Sequence, residues 1–361
     1  MPVLTGLGNL IQNVSLQKKI KGNIAYLCHS ASVTADFTHG IIHLQKIFKK
    51  RLTKLLGPQH GLVTNVQDNM VESVNFLHPY FELPVYSLYS HTRKPTPEML
   101  EGIDTLIVDL QDVGTRVYTY ISTLGLCLEA CAPLGIEVVV LDRPNPVGGE
   151  IIEGSMLQEE FQSFVGFRPM PMRHGMTMGE MALFYQKLYF PVAKLSVIPM
   201  KGWKRKMFWK DTGLPWVNPS PNLTTPDSAL TFVGTVLFEG TNISEGRGTT
   251  RSLEIIGHPD IEPFSFLEKL HPHLKKAKLE GFVLRPLYFQ PTFQKHAGKS
   301  CGGFQIHVTD PLKFRPWKLG QLLCQQLYQH LGQAFEWKAP PYEYEYEKLP
   351  IDLINGSDGP R

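Results

Sequence analysis

The chain has 361 residues, of which 42% are hydrophobic and 19% charged, a composition typical of one large globular domain or two smaller ones. Its 36 Lys and Arg residues nearly balance 33 Asp and Glu residues, for a formal net charge of +3. This balance argues against nucleic acid or an anionic membrane surface as a partner.

The first residues lack a basic segment followed by an apolar one, and no apolar run approaches the ~20 residues that a membrane span needs. The five cysteines are scattered without a CxxC pair, which predicts neither a zinc knuckle nor a redox motif. We therefore expect a cytoplasmic protein with reduced thiols and no membrane partner.

Short β-rich runs alternate with helical patterns in the first half of the chain. Strands are predicted at 23–28, 51–56, 83–89, 104–110, 136–142 and 194–200. Helices are predicted at 39–50, within 94–103 after the N-cap Thr96, at 118–135, and at 177–189 behind a Thr177–Glu180 capping box. This alternation predicts an α/β fold with a Rossmann-like, mostly parallel sheet and helices on both faces.

A stretch rich in Pro, Asn and Thr at 212–229 predicts an ordered loop that leads into a second domain, since proline is excluded from helix interiors and central strands. A smaller α+β domain follows, with strands predicted at 232–238, 282–289 and 304–309 and helices near 263–275 and 317–331. We place the N-terminal domain at 1–225 and the C-terminal domain at 226–361.

Polar side chains follow three of the predicted strands. They are Gln59 and His60 after 51–56, Asp109, Gln111, Asp112, Arg116, Tyr118 and Tyr120 after 104–110, and Asp142, Arg143 and Asn145 after 136–142. Because ligands bind beyond the carboxyl ends of parallel strands, we expect these groups to line one edge of the sheet. A structural ion pair of Asp142 with Arg143, around a proline turn, is the alternative for that strand end.

The Gly-rich stretch 238–254 forms a second cluster, with Glu239, Asn242, Glu245, Arg247, Arg251 and Glu254. Its two central glutamates are candidates for acid and base, and its arginines could clamp a carboxylate or hold a glutamate ionised. The alternative is a well-paired surface loop. His174 precedes a predicted helix N-terminus, which attracts anions, but a lone histidine is also commonly structural.

No cofactor and no metal are predicted. The stretch 238–254 is not a P-loop, because no Gly-Lys-Ser/Thr follows, and no GxGxxG follows the first strand. The His and Asp residues show no metal-ligand spacing such as HxxxH.

Several of these segments together resemble the bacterial family of NamZ-type exo-β-N-acetylmuramidases. The resemblance runs from "GPQHG" through "DLQDVGTRVYTYISTL", "LDRPNPVGG" and "LFEGTNISEGRGTTR" to "PTFQKHAGKSCGGFQIHVTD". It implies a Rossmann-like N-terminal domain, a smaller C-terminal domain and an active site in the cleft between them. It also implies a glycoside hydrolase that releases N-acetylmuramic acid or a related sugar from the non-reducing ends of peptidoglycan fragments, with a saccharide or muropeptide as substrate.

The chain departs from the family pattern at Gln59. The family motif commonly reads Gly-Pro-Glu-His-Gly, and that glutamate is the leading catalytic candidate. An amide is neither a general acid nor a negative charge that stabilises an oxocarbenium-like transition state. We therefore assign catalysis to Glu239, Glu245, Asp112 and His60, with Asp68 and Glu72 as further carboxylates. The predicted substrate-binding residues are Gln59, Arg116, Tyr118, Asp142, Asn145, His174, Asn242, Arg247 and Arg251.

Two other functions stay open at this point. A sugar-binding or regulatory module with lost or altered catalysis is consistent with Gln59. A phosphate-ester or nucleotide enzyme that uses the "SEGRGTT" loop is the third possibility.

Overall fold

The computed structural model describes residues 2–67 and 70–359, and it divides into two compact units. The first consists of Met1–Gly114, Tyr118–Glu150 and Gly175–Pro221, and the second of Thr115–Val117, Ile151–His174 and Asn222–Arg361. Three segments N-terminal to the boundary predicted at 225 thus belong to the second unit, at 115–117, 151–174 and 222–225. The segment 115–117 belongs to the second unit partly because the Arg116 guanidinium donates to the carbonyl oxygens of Met170 and Ile354 in that unit.

The first unit contains a seven-stranded sheet that confirms the predicted Rossmann-like class. Its strands are β1 (Ile24–Cys28), β2 (Leu52–Gly57), β3 (Phe76–Leu77), β4 (Pro84–Ser87), β5 (Thr105–Asp109), β6 (Glu137–Leu141) and β7 (Leu195–Ile198). The spatial order is β3-β4-β2-β1-β5-β6-β7, and only β3 is antiparallel to its neighbour. Without β3 this is the 3-2-1-4-5-6 order of a doubly wound sheet, whose direction of winding reverses between β1 and β5.

Seven helices accompany this sheet in the described residues. They are α1 (Gly6–Gln12), α2 (Val14–Lys19), α3 (Gly40–Phe48), α4 (Pro97–Leu100), α5 (Tyr120–Cys131), α6 (Met178–Leu188) and α7 (Trp209–Thr212). The predicted N-cap Thr96 and the capping box of Thr177 and Glu180 are both present. Every residue of β1 and β5 is buried, as expected for strands whose two faces are both covered. The helices α1, α2 and α7 and the strand β3 were not predicted.

The second unit is built on a three-stranded antiparallel sheet in the order β8-β10-β9. Its elements are α8 (Pro226–Thr235), the 3₁₀ helix Val236–Gly240, β8 (Ile255–His258), α9 (Pro263–Lys276), β9 (Phe282–Phe289), β10 (Cys301–Val308), α10 (Pro316–Leu331) and α11 (Pro350–Asn355). No helix in the described ranges is long and apolar enough to cross a bilayer.

The strand predicted at 232–238 is wrong, because this segment forms the end of α8 and the following 3₁₀ helix. The helix begins where Thr225 accepts a hydrogen bond from the N–H of Ser228 and Pro226 occupies the first helical position. The β-branched and aromatic residues that suggested a strand are buried instead by packing of α8 on α10. Tertiary packing overrides a weak local preference here.

Candidate active site

Four neighbouring parallel strands, β2, β1, β5 and β6, end at the same edge of the first sheet. The three strand ends predicted from the sequence are therefore brought to one edge. A polar residue that the sequence analysis missed, His29, follows β1 directly, and β1 lies between β2 and β5. We call the polar residues that follow these four strands the polar edge.

The turn after β2 holds Gln59 in place through both ends of its amide. The Nε2 atom donates to the hydroxyl of Tyr89 at 3.1 Å, and Oε1 accepts a short hydrogen bond from the Thr119 hydroxyl. The next residue, His60, has a positive φ of 69°, and its Nδ1 donates to the carbonyl of Val66 at 2.7 Å. Gly57 is required in this turn because a Cβ there would lie 2.6 Å from the backbone nitrogen of Leu62.

His29 is fully buried and held as a neutral imidazole. Its Nε2 accepts the backbone N–H of Gln111 at 3.0 Å, so the ring proton resides on Nδ1, which faces the Tyr120 hydroxyl at 3.4 Å. Burial, reinforced by the nearby charge of Arg143, keeps the pKa of His29 well below its usual value. The only sequence signal for this residue is its position directly after a predicted strand.

Asp109 and Arg143 form a buried ion pair between the ends of β5 and β6. Arg143 Nη2 lies 3.0 Å from Asp109 Oδ2, and the Tyr26 hydroxyl donates to the same oxygen at 2.7 Å. A structural ion pair does exist for Arg143, but its partner is Asp109 rather than the adjacent Asp142. Removing one member would leave an uncompensated buried charge, so the two residues are needed together.

Asp142 and Asn145 anchor the loop that leads into α6. Asp142 accepts hydrogen bonds from the backbone N–H of Gly179 at 2.8 Å and the Thr177 hydroxyl at 3.1 Å. Burial raises the pKa of Asp142 to about 6 although these hydrogen bonds act in the opposite direction. Asn145 donates to the carbonyl of Met176 and accepts the N–H of Val147. A ligand would have to replace these bonds.

Asp112 is a buried carboxylate in the loop after β5. Its Oδ2 accepts the backbone N–H of Gly114 at 2.7 Å, which orients the group. Tyr118, also predicted to bind substrate, is buried with its ring 4.7 Å from that of Tyr120, whose hydroxyl donates to the carbonyl of Pro219. The loop therefore places one oriented carboxylate beside two phenol side chains.

Arg116 and His174 belong to the second unit and are both buried. The Arg116 guanidinium donates to the carbonyl oxygens of Ser155, Met170 and Ile354. Burial lowers the pKa of Arg116 to about 10. These contacts give Arg116 a structural role within its own unit.

The glutamates predicted as acid and base share one arginine. Arg247 Nη2 lies 2.6 Å from Glu239 Oε1, and Arg247 Nε lies 3.0 Å from Glu245 Oε1. Lys295 Nζ lies 2.8 Å from Glu245 Oε2, and the Tyr342 hydroxyl donates to Glu239 Oε2 at 2.7 Å. We call these five residues the charged network. Lys295 and Tyr342 escaped the sequence analysis because they lie far along the chain from the Gly-rich stretch.

Electrostatics favours an ionised Glu239 within the charged network. Burial pushes the pKa of Glu239 upward, but Arg247 and the Tyr342 hydroxyl outweigh it, and the net pKa lies below the usual value. Burial raises the pKa of Tyr342 well above its usual value, and Glu239 adds to this effect. An ionised glutamate with both oxygens engaged is a poor proton donor, so this geometry suits charge placement better than acid catalysis.

Asn242 and Arg251 differ in accessibility. Asn242 donates to the carbonyl of Ala334 and accepts the N–H of Glu336, so its amide is engaged with the backbone. The Arg251 side chain is 51% exposed and lies 3.6 Å from Glu254. Glu72 is exposed, and Asp68 lies outside the described residues.

A doubly wound sheet with a polar edge at its carboxyl ends, joined in one chain to a second α+β unit, defines this protein as an α/β protein of enzyme-like architecture. Models of the N-terminal and C-terminal parts of the exo-β-N-acetylmuramidase NamZ match residues 24–227 and 230–361. The chain belongs to the NamZ family.

Individual relatives agree with this assignment. The chain is 43% identical over 336 residues to the peptidoglycan β-N-acetylmuramidase NamZ of Bacillus subtilis strain 168, covering 93% of this chain and 80% of that protein. A crystal structure of a DUF1343 family protein from Bacteroides fragilis NCTC 9343 superposes with a TM-score of 0.85 at 31% identity, covering 99% of this chain and 89% of the other. A second such protein from that organism shares the fold, with a TM-score of 0.73 at 24% identity.

Proposed function

We propose that this protein is a glycoside hydrolase that releases N-acetylmuramic acid or a closely related N-acetylated sugar from the non-reducing end of peptidoglycan fragments. The observation that carries the proposal is the 43% identity, over 93% of the chain, to a peptidoglycan β-N-acetylmuramidase. The polar edge supports it, because carboxylate and hydroxyl groups meet there at the carboxyl ends of parallel strands, where ligands of such sheets bind.

Within this proposal Asp112 is the carboxylate of the polar edge that we assign to catalysis. Asp109 is held in an ion pair with Arg143, and Asp142 accepts hydrogen bonds at the start of α6. Asp112 is buried, and one of its oxygens is oriented by the N–H of Gly114. A positioned carboxyl group in the site is what acid–base catalysis in a glycosidase requires.

The charged network receives a different role. Ion pairs with Glu239 and Glu245 hold the guanidinium of Arg247 in position. Arg251 is an exposed cation nearby in sequence. Muramic acid carries a lactyl carboxylate, which the exposed Arg251 would attract, whereas the charge of Arg247 is balanced by its two glutamates. His60 is held by the hydrogen bond from its Nδ1 to the carbonyl of Val66, and its assignment to catalysis stays a prediction.

An activity assay tests the hydrolase and the role of Asp112 together. We expect the wild-type protein to cleave a chromogenic N-acetylmuramic acid glycoside faster than the N-acetylglucosamine analogue. Asp112→Asn is expected to lower kcat by at least about a hundredfold, the usual contribution of a general acid. Asp36→Asn, an exposed aspartate of the same unit, serves as the control and should stay fully active.

Unchanged turnover in Asp112→Asn, with an unaltered circular dichroism spectrum, would move catalysis to another carboxylate. A wild-type protein inactive on both glycosides would contradict the hydrolase proposal itself.

A sugar-binding protein with lost catalysis is the second candidate, and Gln59 is the observation that favours it. Both ends of this amide are bonded to hydroxyls, and both Tyr89 and Thr119 can donate to a carboxylate in its place. If this candidate is right, Gln59→Glu should gain turnover from an inactive parent, while calorimetry should show that both proteins bind the sugar. An active wild-type protein that gains nothing from Gln59→Glu excludes the candidate.

A further inference from the structure

A groove of about 560 Å³ opens on the first unit at the amino-terminal end of β2. The end of α3, the turn after it and the turn at 78–83 line the groove. Its residues include Lys46, Lys49, Lys50, Tyr80 and Phe81, and we call it the lysine groove. Its volume lies in the range of small-molecule sites.

The charge of the lysine groove is positive and unneutralised in the structure. Lys46, Lys49 and Lys50 are exposed, and none of them makes an ion pair with a described residue. The adjacent Arg51 is used otherwise, since it donates to the carbonyls of Ile20 and Gly22. Cations at a helix C-terminus stabilise the helix, which accounts for Lys46 but not for three lysines around one groove.

An aromatic platform accompanies these lysines. The Tyr80 side chain is 80% exposed, and its ring meets that of Phe81 edge to face at 5.0 Å. His78 fixes the turn, because its Nδ1 accepts the backbone N–H groups of both Tyr80 and Phe81. Gln45 of α3 also donates to the carbonyl of Phe81. The exposed ring is therefore presented on a pre-organised turn, which lowers the entropy lost on binding.

The lysine groove is separate from the polar edge. Leu52, which begins β2, lines the groove, whereas Gln59 follows the other end of the same strand. The six residues of β2 span roughly 20 Å, and Gln59 lies beyond them. A ligand of the groove therefore does not occupy the proposed catalytic site.

We infer that the lysine groove is a second binding site, for a glycan strand that carries carboxylates. The inference rests on the proposed function, because a peptide-free strand of peptidoglycan bears one lactyl carboxylate on every second sugar. Lysines attract the carboxylates, and an exposed tyrosine ring packs on the apolar face of a sugar ring. Proteins that bind nucleic acid or anionic membranes use larger clusters of positive charge than three lysines in a chain of net charge +3. The glycan is therefore the favoured ligand.

The consequence is a difference between polymeric and small substrates. A strand held in the lysine groove raises the local concentration of its neighbouring chain ends around the protein. Loss of the groove should then weaken turnover of strands at limiting concentration and leave the hydrolysis of a small glycoside unchanged.

The test compares two double variants of equal charge. Lys46→Gln with Lys50→Gln removes two groove cations, and Lys204→Gln with Lys206→Gln removes two exposed lysines elsewhere in the first unit. Calorimetry measures binding of peptide-free glycan strands and of neutral chitooligosaccharides of equal length, at low and high salt. Tyr80→Ala tests the platform without a change of charge.

We expect the groove double variant to bind the anionic strand about fivefold more weakly at low salt, with a smaller salt dependence. The control double variant should match the wild type, and Tyr80→Ala should weaken both glycans. All variants should keep wild-type kcat/KM on the chromogenic glycoside.

Equal losses in the two double variants, or binding of anionic vesicles without binding of the strand, would overturn the inference. If the protein hydrolyses no glycoside but binds the strand through these lysines, the second binding site is supported and the proposed hydrolase activity is contradicted. Failure of the binding site and failure of the proposed function therefore give different results.

Discussion

Gln59 lies between Tyr89 and Thr119, and these neighbours decide what its amide can do. An amide bonded to one hydroxyl as donor and to another as acceptor is held in a fixed orientation. It can support the site by position but supplies neither a proton nor a charge. We therefore expect the chemistry of the polar edge to come from its carboxylates, one of which, Asp109, is paired with Arg143.

Asp142 makes stability depend on pH at the residue scale. Its folded pKa of about 6 lies above the ordinary value of 3.8, so the folded protein binds this proton more tightly than the unfolded chain. The resulting stabilisation is complete below pH 4 and is lost as the pH rises through 6. At pH 7 the loss amounts to about 3 kcal/mol.

Asp142→Asn removes this titration, and the asparagine oxygen can still accept from Gly179. The free energy of unfolding of the variant, relative to the wild type, should rise by about 2–3 kcal/mol between pH 4 and pH 7. Urea unfolding at pH 4, 5, 6 and 7 measures this, with Asp358→Asn at an exposed site as the control. A difference that does not change with pH would show that Asp142 titrates normally.

At the scale of elements, α8 shows how packing selects a helix. Gly234 of α8 and Gly320 of α10 face each other. A Cβ atom added to either glycine would overlap backbone atoms of the other helix. Close backbone approach of this kind buries the surrounding Leu and Phe side chains on a helix. A strand at 232–238 would break that contact.

Gly234→Ala tests this packing. The added Cβ would overlap the carbonyl oxygen of Pro316, which is backbone and cannot rotate away. We expect a loss of at least about 2 kcal/mol in the free energy of unfolding, as for other overpacked cores. Gln325→Ala, on the exposed side of α10, should be neutral in the same urea titration. Equal stability of the two variants would show that the helices can separate without cost.

At the scale of the whole molecule, the chain passes between its two units more than once. Residues 115–117 and 151–174 belong to the second unit although the flanking segments belong to the first. One boundary predicted from composition divides the chain into two continuous segments, whereas each unit consists of three separate segments. The segment after β5 contains both Asp112, in the first unit, and Arg116, in the second, so residues close in sequence serve different cores.

Local patterns in the sequence were sufficient to determine six of the sheet's strands, the caps at Thr96 and Thr177, and the family. These features depend on side-chain periodicity and on hydrogen bonds within a few residues, which are written in the local sequence. The expectation that three strand ends share one edge also followed from the sequence, because parallel strands impose it.

Only the tertiary structure decided which polar residues are already engaged. Arg143 pairs with Asp109 rather than with its neighbour Asp142, and Glu239 meets Tyr342, 103 positions away. His29 entered the polar edge because β1 lies between β2 and β5. Strand order and burial set these pairings, since electrostatic and hydrogen-bond partners are chosen by distance in space and not along the chain.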